Sequence, residues 1–212
     1  MGTTRGTVFV IDDEAPVREG LARLLRSAEW NVHSFAAARD FLDTAPHDGL
    51  GCILLDVGMP DMTGPQLHDE LRAGGYSYPV IYLTGQGTVS VGVHAMRQGA
   101  FDFLEKPVDG DQLLSVIETA IARHEDARSR ENRLGDIRQR LAHLSARERE
   151  VMDHVIQGRL NKQIADDLDI SLKTVKVHRG RAMAKMGVHS VAQLVHLCDA
   201  LGIGQTETAA LA

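Results

Sequence analysis

Apolar and polar positions follow two rhythms along the chain. Up to about residue 123, short runs of strand length alternate with stretches that repeat at helical spacing. The runs are Thr7-Val8-Phe9-Val10-Ile11, Val32-His33-Ser34-Phe35, Gly51-Cys52-Ile53-Leu54-Leu55-Asp56-Val57, Pro79-Val80-Ile81-Tyr82-Leu83 and Ala100-Phe101-Asp102-Phe103-Leu104-Glu105. The third is apolar without alternation until it ends in an acid, the pattern of a strand buried on both faces. Between the runs, Pro16 in a first turn with Val17, Leu21, Leu24 and Leu25 marks one helix. Ala38, Phe41 and Leu42 mark a second, and Pro65 to about Leu71, closed by Gly74-Gly75, a third. Residues near 89–97 form a fourth, and residues from about Asp109 through Leu113, Ile117 and Ile121 a fifth. Strand–helix pairs repeated in this way predict a doubly wound α/β domain: a five-stranded parallel sheet with helices on both faces.

The rhythm then changes. Residues 124–133 are densely charged, after which Leu134, Ile137, Leu141 and Leu144 return at alternating spacings of three and four. Gly135 weakens a continuous helix by ~1 kcal/mol, so the reading favoured for 124–143 is an extended, partly helical linker. A continuous signalling helix is the sharper alternative. Ser145 and Glu148 form a capping-box pair, Val151, Val155 and Ile156 mark the helix they open, and Gly158 ends it. A second helix is expected from about Asn161 to Leu168, a tight turn at Asp169-Ile170, a third helix from Leu172 to about Met186 capped by Ser171, and a fourth from about Ser190 to Leu201. Two helices joined by so short a turn read as a helix-turn-helix. The expected division is 1–123, 124–143, 144–204 and a frayed, small-residue tail over 205–212.

A chain of 212 residues has room for two domains. No stretch is apolar for long enough to span a bilayer, so no membrane role is expected. The start, Met1-Gly2-Thr3-Thr4-Arg5, runs into a strand without an apolar signal region, so a cytoplasmic location is expected. Cys52 and Cys198 lie in apolar segments and read as buried thiols, and the ten His residues show no ligand spacing. The net charge of −6 is uneven. Residues 1–123 hold nine Lys and Arg against 17 Asp and Glu, whereas residues 144–212 hold nine against eight. The acidic part argues against nucleic acid as its own partner. In the third helix of the second part, Lys173, Lys176, Arg179, Arg181 and Lys185 occur with no acid. A basic helix is often only a solvated face; this one, in an acidic chain, points to a polyanion.

The strand ends carry the candidate chemistry. The first run ends in Asp12-Asp13, the third in Asp56, the fourth in Thr84-Gly85 and the fifth in Lys106-Pro107. Ligands of open α/β sheets bind at the carboxyl ends of strands. A single acid there would be a cap or turn residue. Three together repel unless a cation or proton offsets them. A hard dication such as Mg²⁺ fits, because it needs few carboxylates beside water and a phosphoryl group. Asp56 is then free to act as nucleophile and form an aspartyl phosphate, with Lys106 and Thr84 toward the phosphoryl oxygens.

These residues, in this order and with Gly58-Met59-Pro60-Asp61-Met62-Thr63-Gly64 after the acceptor, resemble a response-regulator receiver domain over 5–123. The resemblance implies a flavodoxin-like sheet of order 2-1-3-4-5, for which such a receiver is a standing example. It implies Mg²⁺ on Asp13, Asp56 and the Gly58 carbonyl, with Asp12 helping through water. Thr84 and Phe103 become the switch pair, and Lys106-Pro107 a cis bond. Many receivers have Tyr where Phe103 stands; a plain core role is the bland alternative. The apolar positions Val89, Val91, Val93, Met96 and Val108 are expected to give core and a dimer surface.

Residues 144–200 resemble a LuxR-type helix-turn-helix, the output domain of NarL/FixJ regulators. The resemblance rests on Leu144-Ser145, Arg147-Glu148, Gly158, Asn161-Lys162, Ile164-Ala165, Ile170-Ser171, Thr174-Val175-Lys176-Val177-His178, Lys185-Met186 and Val188. It implies that Lys176 and Val177 reach base edges while Lys173, Thr174, Arg179 and Arg181 mostly touch phosphates. It also implies that Val191, Leu194, Val195 and Leu197 form a dimer face, with core as the alternative. Gly180 replaces a larger polar residue of relatives. The function expected is a phosphorylation-dependent transcriptional regulator, an activator rather than a repressor. Its expected partners are a sensor histidine kinase, a two-fold site on double-stranded DNA, a second copy of itself and RNA polymerase. An aspartyl-phosphate phosphatase is the enzymatic alternative; that class needs a second Asp two residues after the nucleophile, where this chain has Gly58. A ligand-sensing quorum regulator with the same DNA-binding domain is opposed by the acid cluster and the parallel-sheet pattern, and a stand-alone phosphorelay module by the basic third helix; a phosphorylation-independent DNA-binding regulator is a further alternative.

Overall fold

A computed structural model describes residues 5–44, 49–85 and 99–203. The first unit of the chain runs through Arg128 and the second from Ser129. In the first, strands β1 (Thr7–Ile11), β2 (Asn31–Phe35), β3 (Gly51–Asp56), β4 (Val80–Thr84) and β5 (Asp102–Glu105) form one sheet of order β2-β1-β3-β4-β5. Every neighbouring pair is parallel. Helices α1 (Ala15–Ser27), α2 (Ala38–Thr44), α3 (Gly64–Ala73) and α4 (Gly110–Ala142) accompany it. The expected doubly wound, flavodoxin-like receiver fold is therefore present. The expected helix near 89–97, with Val89, Val91, Val93 and Met96, lies outside the described residues, as does the tail over 205–212.

Strand pleat explains how the two cores are divided. Successive side chains of a strand point to opposite faces, so Ile53 and Leu55 of β3 join Phe41, Leu67 and Leu71 on the α2–α3 side. Cys52 and Leu54 join Leu21, Leu25, Leu113 and Ile117 on the α1–α4 side. All six residues of β3 are buried. The two-sided burial expected from its apolar run is thereby explained, and the acid that ends the run is carried into a sheltered position.

Helix α4 differs from the sequence expectation. It is one continuous helix from Gly110 to Ala142, in place of a partly helical linker after residue 123. Its first half is anchored by Leu113, Ile117, Ala120 and Ile121 in the sheet's core. His124 is also buried, its Nδ1 donating to the Gly51 carbonyl at 2.9 Å and its Nε2 3.1 Å from the Ser77 hydroxyl. Arg128 donates to the Gly49 carbonyl at 2.8 Å. Ile137 and Leu141, near the other end, are buried in the second unit's core. Burial of a large aliphatic side chain is worth roughly 1.5–3 kcal/mol, enough to outweigh the penalty at Gly135.

The second unit adds α5 (Ala146–Ile156), α6 (Asn161–Asp167), α7 (Leu172–Met186) and α8 (Val191–Ala200). Ser145 and Glu148 make the expected reciprocal capping box. Asp169, at φ 51°, takes the left-handed conformation between α6 and α7, and Ser171 caps α7. Val175, Ala182 and Met186 turn inward from α7 onto Val151, Met152, Val155 and Ile164. Leu194 and Cys198 of α8 belong to this same core.

Candidate functional sites

The carboxyl ends of β1, β3, β4 and β5 open into one crevice of about 540 Å³ lined by Asp13, Glu14, Asp56, Val57, Gly58, Thr84, Gly85 and Lys106. Asp12 and Asp56 are nearly inaccessible, at 0% and 6% exposure. The Lys106 ammonium stands between them, 2.8 Å from Asp12 Oδ2 and 2.7 Å from Asp56 Oδ1. The Glu14 carboxylate is 3.4 Å from the same nitrogen. Burial opposes the charge on Lys106, but its contacts with Asp12 and Asp56 outweigh that and push its pKa up. Burial raises the Asp12 carboxyl above the usual carboxylate range, and Lys106 offsets only part of this.

Local structure explains each placement. Glu14 N–H donates to Asp12 Oδ1 at 2.9 Å, closing the turn that leads into α1. Gly58 N–H donates to Asp56 Oδ2 at 2.8 Å and fixes the carboxylate plane. The loop after β3 folds back so that Gly64 N–H donates to the Val57 carbonyl at 3.1 Å. A Cβ on Gly64 would lie 2.5 Å from the Asp56 carbonyl oxygen, so only glycine fits there. Thr63 and Gln66 then open α3 with a capping box. Thr84 is 5% exposed, and its carbonyl accepts from Lys106 N–H at 2.8 Å, tying the β4 end to the β5 end. The Lys106-Pro107 bond is cis. Phe103 is 38% exposed on β5, so its side chain is not a plain core residue.

The fold thus gathers Asp12, Asp13, Asp56, Gly58, Thr84 and Lys106 at one edge of the sheet. Glu14 was missed by sequence reasoning; its position two residues after Asp12 was the available signal. Arg18, which donates to the Asp12 carbonyl at 2.6 Å, lay within a helical pattern and gave none.

The donor set suits a hard cation: the crevice is lined by the carboxylates of Asp13, Glu14 and Asp56, with no thiol or imidazole among the described residues that line it. Asp12 Oδ2 is buried and has the Lys106 charge beside it without a hydrogen bond in good geometry. No complete cage of three or more acidic, His or Cys groups exists among the described residues. A cation that keeps most of its water needs none.

In the second unit, α7 presents the cations. Two of the five are engaged within the unit. Arg179 donates to Asn161 Oδ1 at 2.7 Å, and the Lys185 ammonium is 2.6 Å from Glu148 Oε2. Glu148 is 4% exposed; Lys185 and the Ser145 N–H hold its carboxyl at about 2. Lys173, Lys176 and Arg181 are exposed and make no hydrogen bond or ion pair among the described residues. Thr174 is half-buried, its hydroxyl 2.7 Å from that of Ser171. Val177 is 43% exposed. Space beside Gly180 is open.

Residues 8–118 match the family model of the response regulator receiver domain, and residues 142–198 that of bacterial regulatory proteins of the luxR family. The chain is 43% identical over 201 residues to the transcriptional regulatory protein FixJ of Bradyrhizobium diazoefficiens, covering 95% of this chain and 98% of FixJ. It is 37% identical over 201 residues to the response regulator protein TodT of Pseudomonas putida, covering 95% and 88%. Among solved structures, the response regulator StyR superposes with a TM-score of 0.85 at 40% identity, covering 91% of this chain and 98% of that one. Receiver domains of this kind generally bind Mg²⁺ at the phosphorylation site. No helix among the described residues is long and apolar enough to cross a membrane. The chain belongs to the response regulators that join a receiver domain to a LuxR-type helix-turn-helix.

Proposed function

We propose that this chain is a phosphorylation-controlled transcriptional regulator of a two-component system, acting in the cytoplasm, and that Asp56 accepts the phosphoryl group. The observation that carries the reading is the Asp56 carboxylate, held by Gly58 N–H and the Lys106 ammonium at the mouth of a crevice with Asp13 and Thr84. A carboxylate oxygen of Asp56 attacks phosphorus, the N–P bond of the kinase's phosphohistidine breaks, and the electron pair returns to the imidazole. Asp13, Asp56 and the Gly58 carbonyl would hold Mg²⁺, with Asp12 behind them; the ion supplies charge neutralisation at the phosphoryl oxygens. Lys106 supplies a fixed positive charge to the same oxygens, and the Thr84 hydroxyl a donor.

The phosphoryl group adds about −1.5 to −2 charges next to Thr84, and Phe103 on β5 is the side chain that would follow Thr84. The output is a dimer that places two α7 helices on a two-fold duplex site. Lys176 and Val177 face base edges there, and Lys173 and Arg181 face phosphates. Arg179 and Thr174, being engaged within the unit, serve to position α7 more than to contact DNA. A sensor histidine kinase, double-stranded DNA and RNA polymerase are the partners of this reading, with activation as the outcome.

Asp56→Asn should abolish Mg²⁺-dependent labelling by a small-molecule phosphoryl donor, and with it a monomer-to-dimer shift in light-scattering mass. Labelling that persists in this variant moves the acceptor elsewhere. Labelling of the wild type without a mass shift keeps the acceptor and removes dimerisation as the output.

A further inference from the structure

Among the described residues four large apolar side chains are exposed: Phe103 in the first unit, and Leu160, Leu172 and Val177 at 69%, 45% and 43% in the second. Those of the second unit lie at the start of α6 or on α7, not on α8. Leu172 is the first residue of α7. The turn that carries it is fixed, because Ser171 Oγ accepts from Thr174 N–H at 3.1 Å. Core packing does not explain Leu172, since α7 faces the core through Val175, Ala182 and Met186.

Its neighbours narrow the partner. Leu172 and Lys176 stand four residues apart, on one side of the helix, and helical side chains lean toward the N-terminus. Leu172 therefore extends the exposed surface of Lys176 toward the start of α7. Lys173, also exposed, adds a second cation beside it that makes no ion pair among the described residues. An exposed aliphatic group beside two cations matches a partner that is anionic overall yet offers small apolar groups inside a groove. Duplex DNA has that composition: phosphates border a major groove into which thymine projects its C5-methyl. The N-terminal part of a recognition helix is the part nearest the base edges.

We propose that Leu172 is a specificity-determining residue that packs against the C5-methyl of a thymine in each half-site. The inference rests on the DNA-binding reading above. The test uses the full-length, phosphodonor-treated chain to select its site from random duplexes, followed by anisotropy titrations in which each selected thymine is replaced by uracil, which lacks only the methyl. At one thymine per half-site, uracil should weaken wild-type binding by about fourfold, the worth of one buried methyl-sized group. Leu172→Ala should bind the thymine site more weakly, show no difference between thymine and uracil at that position, and keep its responses elsewhere. Leu160→Ala, off the recognition helix, should retain the wild-type thymine preference.

A thymine preference unchanged in Leu172→Ala, or a selected site in which no thymine-to-uracil change matters, overturns the inference while leaving the DNA-binding reading intact. Failure of the wild type to select any sequence overturns both.

Discussion

Lys106 carries the electrostatics of the crevice. Without its ammonium, Asp12 and Asp56 would repel each other as two sheltered like charges. These residues were legible because an acid or a cation directly after an apolar strand run has few places to go except the sheet's edge. His124 and His68 were not legible. Each is buried and hydrogen-bonded, His124 to Gly51 and Ser77 and His68 to the Tyr82 hydroxyl at 3.1 Å. A histidine's burial depends on which polar groups the fold brings to it from 14 to 73 residues away, and no local pattern encodes that. Glu148 gives a titration prediction. Its carboxyl is lowered from an ordinary 4.5 to about 2, first by Lys185 and then by the Ser145 N–H. A depressed carboxylate stabilises the fold fully above its unfolded pKa and loses that contribution as pH falls through its folded one. The second unit should therefore lose helical circular dichroism as pH drops from about 4.5 toward about 2, and Glu148→Gln should flatten that limb. An unaltered acid profile in the variant would deny the pair this role.

Two glycines separate what an element tolerates from what it requires. Gly64 begins α3 against the Asp56 carbonyl, and a methyl group there meets backbone at 2.5 Å and the Tyr82 ring at 3.1 Å. Gly64→Ala should destabilise the first unit by about 1–3 kcal/mol, the usual range for overpacking, and slow phosphoryl labelling of Asp56. The chain's single tryptophan, Trp30, is 7% exposed in that unit, so its fluorescence in a denaturant titration reads the loss directly. Gly135 lies inside α4, and a Cβ added to it would meet nothing within 4 Å. Gly135→Ala should raise stability by about 0.5–1 kcal/mol, checked by thermal unfolding followed through circular dichroism. No gain would show that α4 is not helical there in solution. The continuity of α4 was hard to read because its charged middle resembles any solvated segment. The apolar positions that decide it, Ile137 and Leu141, are spaced like a brief heptad but are buried in the second unit. By contrast, α5 and α7 were legible nearly to the residue, because Ser145 and Ser171 announce their starts by side-chain capping.

At the scale of the whole molecule, acidity in one part and cations on one helix predict a DNA affinity set by few contacts. Counting every cation of α7 would predict a steep salt dependence, but Arg179 and Lys185 are already paired within their own unit. With Lys173 and Arg181 left to face phosphates from each protomer and Lys176 directed at base edges, log K against log salt should have a slope of about −4 for a dimer, and about half that for a monomer. Anisotropy titrations across salt concentrations distinguish this from a slope of about −9, which would mean that all five cations release counterions. One feature of the fold also governs how the protein can be cut apart. A receiver fragment ending at 123 would discard His124 and Arg128, which hold the start of β3 and its preceding turn. A DNA-binding fragment beginning at 144 would leave holes where Ile137 and Leu141 fill its core. Scissors belong near the Arg128–Ser129 bond, inside the charged stretch of α4, and a protease that cuts there should release two pieces that each survive.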